Sequence, residues 1–399
     1  MTGDVAAIRD VEITDVQTTT VAGNFDWTLV RVYTDAGIAG TGEAYWGAGV
    51  VDVIERLEPT LVGRNPCDID RLFTDMLNVL SGEGSIGGTP VTAVSGIEIA
   101  LHDLVGKLYG IPAHQLLGGT YREEVRVYCD CHAGEHLRSE STTDDLDDPY
   151  APEAFADAAE AVIEEDGFDA LKFDLDASKR LEDDAYNRHL DDEAITYKAD
   201  VVRAVTERVG DDANVAFDCH WRYAGDSAIR LARAIEPYDV WWLEDPVPPE
   251  NHDVQGEVTR RTETTIATGE NVYRKHGVRR LVEEQAVDII QPDMPKVGGM
   301  RETRTIADMA DTYYMPVCLH NVSSPIGTMA SAHVAAASPT FLALEFHARD
   351  IEWWGDLVEE TVLEAGRIAV PDEPGLGVTL DRDAVEAHLK PGETLFDEA

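Results

Sequence analysis

Lysine is scarce in this chain. Seven lysines and 25 arginines stand against 77 aspartates and glutamates in 399 residues, a formal net charge of −45. With so few cations no basic stripe forms, so nucleic acid is not an expected partner. Disorder or an acidic tail is the plain reading of such a balance. Here, though, the acids are spread throughout and interleaved with apolar periodicity. A surface of that charge repels itself in dilute buffer and is screened at molar salt, which predicts a halophilic protein. Cysteine is sparse too: Cys67, Cys129, Cys131, Cys219 and Cys318 are odd in number and scattered, as reduced thiols are. No apolar run is long enough to cross a bilayer, and residues 1–10 lack a basic stretch leading into an apolar one. A cytoplasmic location, with no membrane partner and no secretory signal, is therefore expected. Also missing are a Gly-x-Ser-x-Gly elbow and a Gly-x-Gly-x-x-Gly following a strand, which argues against a Ser-His-Asp hydrolase and a dinucleotide dehydrogenase.

What is present reads as two modules. Val11–Val21, Trp27–Thr34 and Ala39–Ala44 alternate as an antiparallel meander, and helical patterns follow at 50–61, 68–80 and 89–108. The last helix, with Val94, Ile97, Leu101, Leu104 and Leu108 on one face, stops at Gly110 and Pro112. Beyond residue 124 short apolar strands alternate with amphipathic helices. The strands are Val125–Cys129, Ala170–Phe173, Asn214–Phe217, Val240–Leu243, Thr265–Thr268, Ile289–Gln291, Pro316–Leu319 and Phe341–Leu344. Eight of them in this rhythm predict a parallel β/α barrel. The first two intervals are lengthened by acidic insertions at 134–150 and 176–192, and a turn-rich strip, 369–399, follows the barrel.

In such a barrel the C-terminal strand ends form the active-site face. Asp218, Glu244 and Glu270 end strands three to five, 26 residues apart each time. Any one acid in so acidic a chain is most simply a solvated surface group. Three converging from adjacent strands repel one another unless a cation joins them, and hard oxygen ligands with open positions suit Mg²⁺. His220, two residues after Asp218, should share its side of the strand and face the same mouth. Asp293 and His320 end strands six and seven, where a carboxylate can hold one imidazole nitrogen and raise the basicity of the other. Lys172, beside Asp174 at the end of strand two, can balance charge near the metal cluster or a substrate carboxylate. Glu345, at the end of strand eight, can hydrogen-bond a developing oxyanion if its surroundings keep it protonated. Gly298-Gly299 reads as a tight turn rather than a phosphate loop. Cys129-Asp130-Cys131-His132 lacks the second cysteine pair of a zinc site and reads as strand-one core.

These strings in this order resemble the enolase superfamily, and within it the mandelate racemase-like sugar-acid dehydratases. They are Val215-Ala216-Phe217-Asp218-Cys219-His220, Trp242-Leu243-Glu244-Asp245-Pro246, Thr268-Gly269-Glu270, Gln291-Pro292-Asp293, Lys296-Val297-Gly298-Gly299, His320-Asn321-Val322-Ser323-Ser324-Pro325-Ile326-Gly327 and Leu344-Glu345-Phe346-His347. Ala100–Lys107, Leu116–Gly119 and Pro374–Gly377 extend the likeness to nearly the whole chain. The resemblance implies a modified TIM barrel, (β/α)7β, at 125–368. An α+β N-terminal capping domain at 1–124 would be completed by the C-terminal segment at 369–399, with a lid at Ala22–Trp27 and with Tyr45 and Trp46 from a second loop. It further implies Mg²⁺ on Asp218, Glu244 and Glu270, His320 as base with Asp293 behind it, and His220 as general acid. The reaction would be dehydration of an aldonic acid to a 2-keto-3-deoxy acid. One departure matters: racemases of this group carry Lys-x-Lys at the end of strand two, and here the second position is Asp174, which disfavours racemisation. An epimerase, a cycloisomerase or a non-catalytic sugar-acid-binding barrel are the alternatives. Gluconate, galactonate, xylonate and arabinonate all remain open as substrates. Arg349, Trp353 and Trp354 either line the specificity region or serve in packing, and a homo-oligomer, an octamer by resemblance, is expected.

Overall fold

The computed structural model describes residues 10–131, 150–176 and 187–397, so the acidic insertions expected at 134–150 and 176–192, and His132, fall largely outside the described residues. Strands β1 (Ile13–Ala22), β2 (Asp26–Thr34) and β3 (Ala39–Ala44) form an antiparallel meander. Helices Val50–Leu61, Ile69–Val79 and Thr89–Tyr109 cover it. The third of these is buried on every face from Val91 to Gly106 because it lies between the meander and the rest of the molecule. Strand and helix approach at backbone contact: a Cβ on Gly42 would sit 2.4 Å from the Gly96 carbonyl oxygen. The helix ends at Gly110, whose φ of 68° suits glycine and lets its N–H bond back to Lys107.

Eight parallel strands follow: β4 (Glu124–Cys131), β5 (Ala170–Asp174), β6 (Asn214–Asp218), β7 (Leu243–Glu244), β8 (Ile266–Thr268), β9 (Ile289–Ile290), β10 (Val317–Leu319) and β11 (Phe341–Phe346). They are hydrogen-bonded in sequence order, and β11 pairs with β4 to close the barrel. Helices cross over after each strand from β4 to β10, the final one being Pro325–Ala337. After β11 the chain instead runs through a short turn to β12 (Arg367–Ala369), which pairs antiparallel with the start of β4. The α/β barrel with its small antiparallel-sheet module is the architecture expected from the strand rhythm and the family strings. The fourth barrel strand alone is displaced from its expected span. A left-handed turn at Asp239 (φ 51°) delays it, so β7 holds Leu243–Glu244 rather than starting at Val240.

The barrel's interior is a small core of its own. Ala170, Ala216, Ala267 and Ala343 leave the room that Tyr128 and Trp242 fill. The C-terminal strip lies against the first module. Asp103 accepts from the backbone N–H of Thr41 (2.7 Å) and of Leu376 (2.8 Å), while the Lys390 N–H bonds to the Thr20 carbonyl (2.8 Å). Among the described residues no helix is long and apolar enough to cross a membrane.

Candidate metal centre and active site

The ends of β6, β7 and β8 bring Asp218, Glu244 and Glu270 together, all buried, with one carboxylate oxygen of each within 4.8 Å of the others. Gly269 permits the last of these placements. Its φ of 151° and its approach to Gln291, 2.8 Å from where a Cβ would lie, are available only to glycine. Trp242, inside the barrel, donates its indole N–H to Glu244 Oε2 at 2.9 Å. The Lys172 ammonium sits 3.3 Å from Asp218, 3.2 Å from Glu244 and 2.7 Å from Glu345. One lysine does not neutralise this set. Burial pushes Glu244 up to about 7, with Asp218 and Glu270 adding to the rise and Lys172 opposing it. A buried oxygen-only cluster with excess negative charge fits a hard divalent cation.

Two histidines flank the trio, each held by an aspartate. His320 Nδ1 lies 2.7 Å from Asp293 Oδ2, and its Nε2 faces Glu270 at 2.9 Å and Glu345 at 3.8 Å. Burial disfavours the charged ring, but Glu270 and Glu345 outweigh it and raise His320 well above an ordinary histidine. His220 lies outside β6. Its φ is 42° and that of Trp221 is 57°, so strand alternation is not what aims it. A local turn does that instead: the His220 N–H donates to Asp218 Oδ1 at 2.8 Å, and Nδ1 meets Asp176 Oδ1 at 3.0 Å. Glu345 Oε2 accepts from the Tyr128 hydroxyl (3.2 Å) and the Asn321 N–H (3.1 Å), and burial raises its carboxyl while Lys172 and His320 restrain the rise. The trio, His320, Asp293, His220, Lys172 and Glu345 therefore share one mouth.

The cavity above them, ≈ 270 Å³, is closed from the first module by Phe25, Tyr45 and Trp46. Phe25 stacks on Trp46 with ring centroids 5.5 Å apart. Asn24 reaches across to the barrel, donating to the His347 carbonyl at 2.7 Å and meeting His347 Nδ1 at 3.1 Å. His347 Nε2 in turn lies 3.2 Å from Asp130 Oδ2. A larger cleft of ≈ 490 Å³ between Arg31 and Asp381 holds none of this chemistry.

Asp130, Asp176, His347, Asn24 and Trp221 were not singled out by the sequence. For Asp130 and His347 a signal existed: each stands two residues beyond an inward-facing side chain, Tyr128 and Glu345, in its strand's alternation. Arg349, Trp353 and Trp354 prove to be packing residues away from the cavity lining. Arg349 pairs with Asp166 at 2.6 Å, Trp353 stacks on His388 at 3.6 Å, and Trp354 donates to the Ser323 carbonyl at 3.0 Å. At Gly298-Gly299 the N–H groups that a phosphate would need are taken by Glu98, at 2.8 Å from Met300 N and 3.0 Å from Arg301 N. Cys129 and Cys131 are buried thiols.

Residues 7–118 match the mandelate racemase/muconate lactonizing enzyme N-terminal domain, and residues 154–384 match the enolase C-terminal domain-like family. Over 399 residues, all of this chain and 94% of the relative, the sequence is 60% identical to a D-xylonate dehydratase of Haloferax volcanii. A D-gluconate dehydratase of Thermoproteus tenax is 29% identical over 90% of this chain and 69% of its own length. Among solved structures, a mandelate racemase/muconate lactonizing enzyme-like protein from Rubrobacter xylanophilus superposes with a TM-score of 0.90 at 40% identity, covering 97% of this chain and 100% of that one.

Proposed function

The chain belongs to the mandelate racemase/muconate lactonizing enzyme group of the enolase superfamily, and from that premise we propose that it is a hydro-lyase converting an aldonic acid, D-xylonate first among them, to a 2-keto-3-deoxy acid. The observation that carries this reading is the convergence of three buried carboxylates between two Asp–His pairs.

The proton on C2 of an aldonate is hard to remove because its loss places a second negative charge on the carboxylate group. Asp218, Glu244 and Glu270 would hold a Mg²⁺ ion, which when bound would supply the positive charge that offsets it. His320 takes the C2 proton at Nε2, and Asp293 holds Nδ1–H so that the ring presents the correct nitrogen. Nε2 faces Glu270 at 2.9 Å, and a cation held by Glu270 would lessen that carboxylate's pull on the ring. Glu345, kept toward its neutral form by burial, donates to the developing oxygen charge, and Lys172 balances the carboxylates around it. On the other side of the trio, His220 gives its proton to the departing 3-hydroxyl, and water leaves. Asp176 on Nδ1 orients that imidazole, and against burial Asp218, Asp174 and Asp176 together favour its charged form. The enol then takes a proton at C3 and becomes the 2-keto-3-deoxy acid. Two residues after Lys172, strand β5 offers Asp174 and not a second lysine, so the second base that racemisation would need is missing from that strand.

The test is a panel of D-xylonate, D-gluconate, D-galactonate and L-arabinonate in magnesium and molar KCl, read by a colour assay for 2-keto-3-deoxy acids. D-Xylonate is expected to give product fastest. Absence of that product from every aldonate would overturn the reading.

A further inference from the structure

Seven lysines face 77 acids in this chain, yet Lys198, on helix Asp192–Val209, pairs with none of them among the described residues. It is 1% exposed, and its ammonium donates to the Leu175 carbonyl. The Tyr223 hydroxyl donates to the same oxygen at 3.0 Å, so that acceptor is satisfied without the lysine. Burial disfavours the charge and pushes Lys198 down to about 8, against the pull of Cys219 and Asp176. A methionine would fill the same space at less cost. Residues that break the packing rule in this way gather where function needs them.

The neighbour of Leu175 supplies the need. Asp176 follows it in the chain and meets His220 Nδ1 at 3.0 Å. His220 and Trp221 are both left-handed, with φ of 42° and 57°, a conformation that such residues keep only when their surroundings hold it. Holding it are groups around the start of the lysine's own helix. Arg188 Nη1 donates to the Trp221 carbonyl at 2.7 Å, and the Arg188 carbonyl accepts from the Ala224 N–H at 2.8 Å. We propose that Lys198 is a positioning residue for the elimination step: its ammonium anchors the Leu175 peptide, and through it places Asp176 where that carboxylate aims the His220 ring at the departing hydroxyl. Lys198 lines no part of the cavity and touches neither substrate nor metal. Proton abstraction by His320, held from Asp293 on the other side of the trio, does not pass through it. The inference rests on the dehydratase reading and adds to it a residue outside the cavity.

The two half-reactions separate the outcomes. D-Xylonate is incubated in deuterated solvent with magnesium and molar KCl, and proton NMR gives the ratio of C2 deuteration in recovered substrate to keto acid formed. Lys198→Met should raise that ratio by about tenfold or more through slower product formation alone, since a misplacement of about 1 Å can cost on the order of 10²-fold. Its melting temperature should not fall, because Tyr223 still serves the Leu175 carbonyl and a buried unpaired charge is gone. Lys198→Gln, which also removes the ammonium but keeps a polar side chain, serves if the methionine variant does not fold. An unchanged ratio, or exchange and product falling together, overturns the positioning role and leaves the dehydratase reading in place. So does failure of both variants to fold, which would make the lysine a structural one. Neither exchange nor product from the unmutated chain with any of the four aldonates overturns both readings.

Discussion

His320 and His220 are chemically the same side chain put to two uses, and their surroundings distinguish them. Asp293, behind His320, is fully buried, so that ring is fixed with Nε2 toward the trio. The His220 side chain is 35% exposed, with Asp176 on Nδ1 and Asp174 at 3.9 Å, a setting that favours the imidazolium. The proposed roles separate in deuterated solvent. His320→Asn should abolish both exchange of the C2 proton and product, a loss of about 10²–10⁴ in rate for a missing acid–base group. His220→Asn should lower product formation by the same order while magnesium-dependent C2 exchange, followed by proton NMR, continues. Dehydration by His220→Asn at near the unmutated rate would reassign the acid.

At the scale of elements, the strand ends were legible because each reactive group follows a short apolar run and the runs recur at barrel spacing. The trio, Asp293–His320, Lys172 and Glu345 were all named from that rhythm. What escaped was contact between elements far apart in the chain. Asn24 with His347, Asp176 with His220 and His114 with His333 are separated by 323, 44 and 219 positions, and a single sequence carries no record of such pairs. The placement of His220 was anticipated for the wrong reason, since a left-handed turn and not strand alternation directs it. The His114–His333 pair has a consequence of its own. Helix Pro325–Ala337 is buried along its entire length, so His333 must stay neutral within it. Its Nε2 meets the Leu376 carbonyl at 3.1 Å and its Nδ1 meets His114 at 3.1 Å, joining helix, first module and C-terminal strip. Burial pushes His333 down from 6.5 to about 4, against the pull of the Leu376 carbonyl. Between those values the unfolded chain binds the extra proton. The stabilisation is therefore full above about pH 6.5 and is lost as pH falls toward 4, by up to about 3 kcal/mol. Urea unfolding of His333→Gln should show a shallower fall in stability between pH 7 and pH 5 than the unmutated chain; parallel curves would remove His333 as the source.

For the whole molecule, charge is the governing quantity. A net −45 is carried on a fold whose core is an ordinary close-packed one, with surface pairs such as Arg203–Asp200 and Arg280–Asp253 that contribute little each. The cost of holding so many like charges on one compact body falls as the screening length shrinks from about 10 Å at 0.1 M salt to about 3 Å at 1 M. The unfolded chain spreads the same charges farther apart, so removing salt favours it. Dialysis from molar KCl into dilute buffer should therefore lower the melting temperature by on the order of 10 °C, the shift that several kcal/mol produce at 2–4 °C each in a large domain. Sucrose strengthens burial without screening charge, so it should restore less of that loss than KCl at equal osmolality. A melting temperature indifferent to salt, or restored equally by sucrose, would mean that self-repulsion does not limit this fold and that its acidity has another cause.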